Sequence, residues 1–135
     1  MFRQACLLCV LAWIPAWATA HFGWNWGPAP EFESIAARRI LQNPAAFVLV
    51  DVRNPERFHA EHAPGAVLFT DATYAQDLEK LRGAFSKGQQ IIVFGEGIGS
   101  ERATRLARRL RKDLAPAPVR FLEGGWAAWP REQPR

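Results

Sequence analysis

The residues best placed to do chemistry are Phe94-Gly95-Glu96-Gly97-Ile98-Gly99-Ser100. Ile91 to Val93 read as a buried strand and Ser100 to Leu110 as an amphipathic helix, so this glycine-rich turn joins a strand end to a helix N-terminus. That setting suits anion binding and thiolate chemistry, because free backbone N–H groups and the helix dipole both favour negative charge there. The loop carries no Cys, Ser, Thr, Lys or His ahead of Ser100. Covalent catalysis therefore lacks its attacking atom. Two uses remain open for the loop. Ser100 simply caps its helix, or the backbone from Gly95 to Ser100 also converges on a small anion. In the second case Glu96 would oppose the ligand if it pointed inward, and Arg102 and Arg105 would help only from the rim.

Other polar residues offer less. Asp51 and Arg53 follow an apolar strand, where α/β sites gather, but a buried pair of opposite charges is first a structural tie. His59 and His62, with Glu56 and Glu61, lack a third committed ligand for a metal, and Pro64-Gly65 breaks the geometry beside them. An N-terminal His21 could chelate copper through its amine and imidazole, but a competent site would want another histidine across it, and nothing in the sequence places one there. No cofactor is expected. The basic run Arg102, Arg105, Arg108, Arg109, Arg111 and Lys112 lies largely opposite an apolar stripe and reads as a solvated face. An acidic partner or an anionic membrane surface is the alternative for that run. Nucleic acid is disfavoured, since no aromatic residues interleave with it as a stacking platform.

The elements that must position these groups follow from periodicity. The chain has 135 residues and a net charge of +4, enough for one compact domain. Residues 1–20 have the pattern of an export signal: Arg3, an apolar run from Ala5 to Trp17, then Ala18-Thr19-Ala20 before His21. Cleavage there would remove both cysteines, Cys6 and Cys9, and leave a net charge of +3. Periplasmic or secreted localisation is therefore expected, with an uncleaved membrane anchor as the alternative. Membrane contact is expected only if that segment is retained. Residues 21–30 (HFGWNWGPAP) form an aromatic, glycine- and proline-rich arm, either packed on the domain or exposed for a partner. From there the pattern gives a helix over Glu31–Gln42, a strand from Phe47 to Val50 ending in Asp51, and a short helix from Asn54-Pro55 through His59. A strand over Ala66–Phe69, a helix over Tyr74–Phe85, the strand and helix around the glycine-rich loop, and a strand over Val119–Leu122 complete it. Residues 131–135 read as a flexible tail. Short apolar strands alternating with amphipathic helices specify an α/β domain with a parallel sheet.

Three segments then resemble one family. Leu49-Val50-Asp51-Val52-Arg53-Asn54-Pro55-Glu56-Arg57-Phe58 is similar to the rhodanese segment in which "DVR" leads through a turn into an acidic helix. Glu61-His62-Ala63-Pro64-Gly65-Ala66 resembles its G-H-I-P-G-A turn, with Glu61 for Gly and Ala63 for Ile. Leu122-Glu123-Gly124-Gly125-Trp126-Ala127-Ala128-Trp129 resembles its closing L-x-G-G-x-x-x-W signature. The resemblance covers residues 31–130 and implies a three-layer α/β domain with a central parallel sheet flanked by helices. It also implies structural roles for Asp51, Arg53, His62, Pro64, Gly65, Gly124, Gly125 and Trp129. Active members read C-x-x-G-x-R-S-x-x-A at the central loop. With Ser100 as the Ser, the Cys position falls on Phe94 and the Arg position on Gly99; a register shifted by one puts Gly95 at the Cys. The resemblance thus implies the fold without sulfurtransferase activity, and a protein- or anion-binding module with an envelope protein or a small anion as partner. The alternative is a sulfurtransferase-type enzyme that borrows a partner's thiol, or another activity in the same cleft.

Overall fold

The structure is a computed structural model and describes residues 30–131. The export segment, the aromatic arm up to its last residue and the tail beyond Arg131 lie outside the described residues. Five parallel strands form one sheet: β1 (Ser34–Ile35), β2 (Phe47–Asp51), β3 (Val67–Leu68), β4 (Gln90–Phe94) and β5 (Val119–Leu122), in the order β1-β5-β4-β2-β3. The helices are α1 (Ala37–Gln42), α2 (Pro55–Ala60), α3 (Tyr74–Ala84) and α4 (Glu101–Asp113), with short 3-10 turns at Pro44–Ala46 and Gly125–Ala128. Among the described residues, no helix is long and apolar enough to cross a membrane.

Each central strand feeds two cores because successive side chains point to opposite faces. Val48 and Val50 of β2, with Ile91 and Val93 of β4, face the core covered by α3 and α4. Leu49, Ile92 and Phe94 face the other, with Ala37 and Ile40 of α1 and with Trp126 and Trp129. Strands buried on both faces read as continuous apolar runs rather than alternating ones, which is why Phe47–Val50 and Ile91–Phe94 look as they do. On α4, Ala103, Leu106, Ala107 and Leu110 are buried, the stripe its spacing predicts.

The Glu31–Gln42 segment is not one helix. Ser34 and Ile35 pair with Phe121 and Leu122 as an edge strand, and the helix begins only at Ala37. The backbone N–H groups of Phe121 and Glu123 donate to the carbonyls of Glu33 and Ile35, at 2.9 Å each. The free edge of β5 claims this segment. Phe32, Ile35 and Ile40 are buried all the same, so the apolar residues were legible and the period of so short a run was not.

The basic face of α4 is tied down rather than merely solvated. Arg108 grips the Glu31 carboxylate through Nε (2.9 Å) and Nη2 (2.6 Å), and Arg111 adds a third donor group at 3.1 Å. Arg111 also lies over the Phe32 ring, and Arg109 over Tyr74 at 3.6 Å. Arg105 reaches Asp71 at 3.3 Å. The Tyr74 hydroxyl donates to Asp113 at 2.8 Å; its burial and that carboxylate raise the phenol's pKa. One helix thereby holds the start of the domain, the turn after β3 and the start of α3.

Candidate functional site

The loops at the C-terminal ends of β2 and β4 enclose an open cleft of about 380 Å³, lined by Val52, Arg53, Asn54, the loop from Gly95 to Ser100, and Arg102. Its floor is an ion pair. Asp51 is fully buried, and its two oxygens accept from Arg53: Oδ1 from the backbone N–H (2.9 Å) and Nε (3.1 Å), Oδ2 from Nε (3.0 Å) and Nη2 (2.8 Å). The same Nη2 donates to the Glu61 carbonyl at 2.7 Å, and the guanidinium stacks over the Trp126 ring at 4.1 Å. Every strong interaction of Arg53 is thus with the protein itself. A buried charge without such partners would be very costly.

The loop above this floor is held from both ends. Ser100 Oγ accepts from the Ala103 N–H at 3.3 Å and so caps α4. On the other side, the N–H groups of Trp126 and Ala127 donate to the carbonyls of Gly95 (2.8 Å) and Glu96 (3.0 Å). A trans peptide sets its C=O and N–H antiparallel. The N–H groups of Glu96 and Gly97 therefore point away from the turn that grips those carbonyls. Gly125, at φ +63°, packs so closely on Gly97 that an added Cβ would lie 2.9 Å from its carbonyl carbon. Sequence reasoning singled out Gly124, Gly125 and Trp129 but not this grip on the loop; two successive glycines beside a tryptophan were its only signal.

Of the expected loop residues, Phe94 does not join the cleft. It is the last residue of β4, and its ring faces the core, stacked on Trp126 with ring centroids 6.3 Å apart. Strand alternation makes this unavoidable once Ile92 faces the same side. Gly95 does line the cleft, and a Cβ there would sit 2.9 Å from Ser100 Oγ. Glu96 stays at the mouth, half exposed, 3.9 Å from Arg57 of α2. Asn54 and Val52 line the cleft and were not singled out for it. Asn54 instead shows the role its position before Pro55 suggests, accepting from the Arg57 N–H at 2.9 Å to cap α2.

His62 is a local strut. Its Nδ1 lies 3.0 Å from the Phe58 carbonyl and its ring stacks on Phe58 at 4.2 Å. Pro64 and Gly65 fill the centre of a turn closed by Ala66 N–H to Ala63 C=O at 3.0 Å, with Gly65 at φ +74° as a type II turn requires. Trp129 is buried against Trp126. Among the described residues, no cluster of three His, Cys, Asp or Glu side chains stands ready for a metal ion.

Residues 35–132 match the model of the rhodanese-like domain. The chain belongs to the rhodanese-like domain family. Solved structures carry the same architecture. A rhodanese-like domain protein from Staphylococcus aureus aligns with a TM-score of 0.56 at 23% identity, over 74% of this chain and 93% of that one. The BH2092 protein of Bacillus halodurans gives 0.58 at 23%, over 72% and 70%. The thiosulfate sulfurtransferase of Pseudomonas aeruginosa gives 0.57 at 22%, over 76% of this chain but 18% of that one. Identities this low speak to the fold. No curated protein matches the chain. The three rhodanese-like segments of the sequence meet at one end of the sheet: Asp51 and Arg53 as the cleft floor, the His62–Gly65 turn beside them, and the Gly124–Trp129 signature gripping the loop.

Proposed function

We propose that this rhodanese-like domain is an exported binding module that does not transfer sulfur. The observation that carries this reading is the chemistry of the cleft loop. Gly95 to Ser100 bring no thiol, amine or imidazole to the cleft, and the one hydroxyl, Ser100 Oγ, accepts the α4 capping bond. Sulfur transfer in this family's active members uses a cysteine at the head of this loop. With Phe94 turned into the core, the register that puts that position at Gly95 fits the strand better. No side chain there can take up a sulfane sulfur as a persulfide.

Binding remains within reach. The Glu96 and Gly97 N–H groups, which point away from the Trp126 turn, and the half-exposed Arg102 suit a small anion, and the exposed Ile98 suits an envelope protein. The export reading rests on residues 1–20 alone. The purified chain, and a C6S/C9S variant of it, should release no thiocyanate from thiosulfate and cyanide above the uncatalysed background. Catalytic turnover by either protein would overturn the reading.

A further inference from the structure

The crest of the same loop exposes Ile98. At 89% exposed it stands out among the described residues, where the only other exposed large apolar side chain is Leu41 at 49%. Ile98 is not on a loose strap. The carbonyls of Gly95 and Glu96 are gripped on one shoulder, and Ser100 caps α4 on the other. An apolar knob on a pinned loop loses little conformational freedom when it docks, so more of its burial appears as affinity.

The rim around the loop carries charges of both signs in loose pairs. Arg57 lies 3.9 Å from Glu96, and Arg102 lies 3.8 Å from Asp71, which Arg105 holds more closely at 3.3 Å. Such pairs contribute little and are readily exchanged for a partner's charges. The acidic members, Glu96 and Asp71, disfavour an anionic bilayer. The cleft of a second copy of this chain is a poor receiver too. It offers Val52 as the one buried apolar wall, among glycine backbone, Asn54, Arg53 and Arg102.

We propose that Ile98 anchors this domain to a different protein, one presenting an apolar socket with a basic group opposite Glu96 and an acidic group opposite Arg102. The proposal rests on the binding-module reading and specifies the surface its partner must offer.

The test places the photoreactive residue benzoylphenylalanine at position 98 of the full chain, in the cells that make it, with position 41 as the control. The expected result is one protein adduct from position 98 that is absent from position 41, attached at apolar residues of the captured protein. That protein, once purified, should bind the wild-type chain with a Kd that rises about tenfold or more for Ile98→Asp. Thermal unfolding of this variant should match the wild type, since the side chain is 89% exposed. No adduct, the same adducts from both positions, a lipid adduct, an adduct of twice the chain's mass, or a Kd changed less than about twofold would each overturn it. Sulfur transfer by the chain would sink the preceding reading without altering these outcomes, so the two failures are distinguishable.

Discussion

The backbone of Gly125 rests directly on that of Gly97, so closely that a Cβ on Gly125 would come within 2.9 Å of the Gly97 carbonyl carbon and oxygen. Gly125 also sits at φ +63°, a conformation that L side chains adopt at a cost. Gly125→Ala should therefore destabilise the domain by about 1–3 kcal/mol through strain and overpacking together. It should also speed hydrogen exchange at the amides of Trp126 and Ala127, which hold the loop carbonyls. Urea unfolding and amide exchange check both. Exchange rates unchanged at those amides would show that the loop is held by something else.

The buried Asp51–Arg53 pair predicts a larger loss for a single variant than for the double variant. Asp51→Ala leaves a guanidinium under the cleft with only the Glu61 carbonyl and the Trp126 ring, and should cost about 3–5 kcal/mol. The double variant Asp51→Leu with Arg53→Met removes both charges and should recover a large part of that loss. Denaturant midpoints of the two variants decide it.

Gly95 and Ser100 should behave as a coupled pair. A side chain at Gly95 would meet Ser100 Oγ at 2.9 Å and its Cβ at 3.0 Å. Gly95→Ala should cost about 1–3 kcal/mol by crowding and by disturbing the α4 cap. In a Ser100→Gly background the same change should cost clearly less, a non-additivity that a double-mutant cycle in urea measures.

The sequence displayed β2, β4, β5 and α4 plainly, because apolar runs and a helical stripe survive without knowledge of neighbours. It hid β1, whose two residues are a strand only because β5 has an open edge for them. The site was legible by residue type and less so by direction. That the loop has no cysteine is a fact of composition, whereas the inward turn of Phe94 depends on where β4 ends. The grip of Trp126 and Ala127 on the loop uses backbone atoms, which no residue type reports. The partners of the α4 arginines were hidden as well, since Glu31 and Asp71 are remote in sequence.

The tie between α4 and Glu31 should fade in acid. Hydrogen bonds from Arg108, followed by the charges of Arg108 and Arg111, hold the Glu31 carboxyl below its ordinary value of 4.5. A carboxyl depressed in the folded state stabilises above its unfolded pKa, and that contribution is lost as pH falls through the folded one. Wild type should thus be more stable than Glu31→Gln at about pH 7, with the gap closing below about pH 4. High salt should narrow it as well, because the pair is exposed. Unfolding midpoints across pH and salt test this, and a gap that persists in acid would contradict it.

The claim on which the functional reading stands is that no atom of this domain holds transferable sulfur. Intact-mass measurement after incubation with thiosulfate, on the C6S/C9S chain, tests it most directly. The predicted spectrum shows the unmodified polypeptide alone, before and after cyanide. A species heavier by one sulfur that cyanide removes would contradict it.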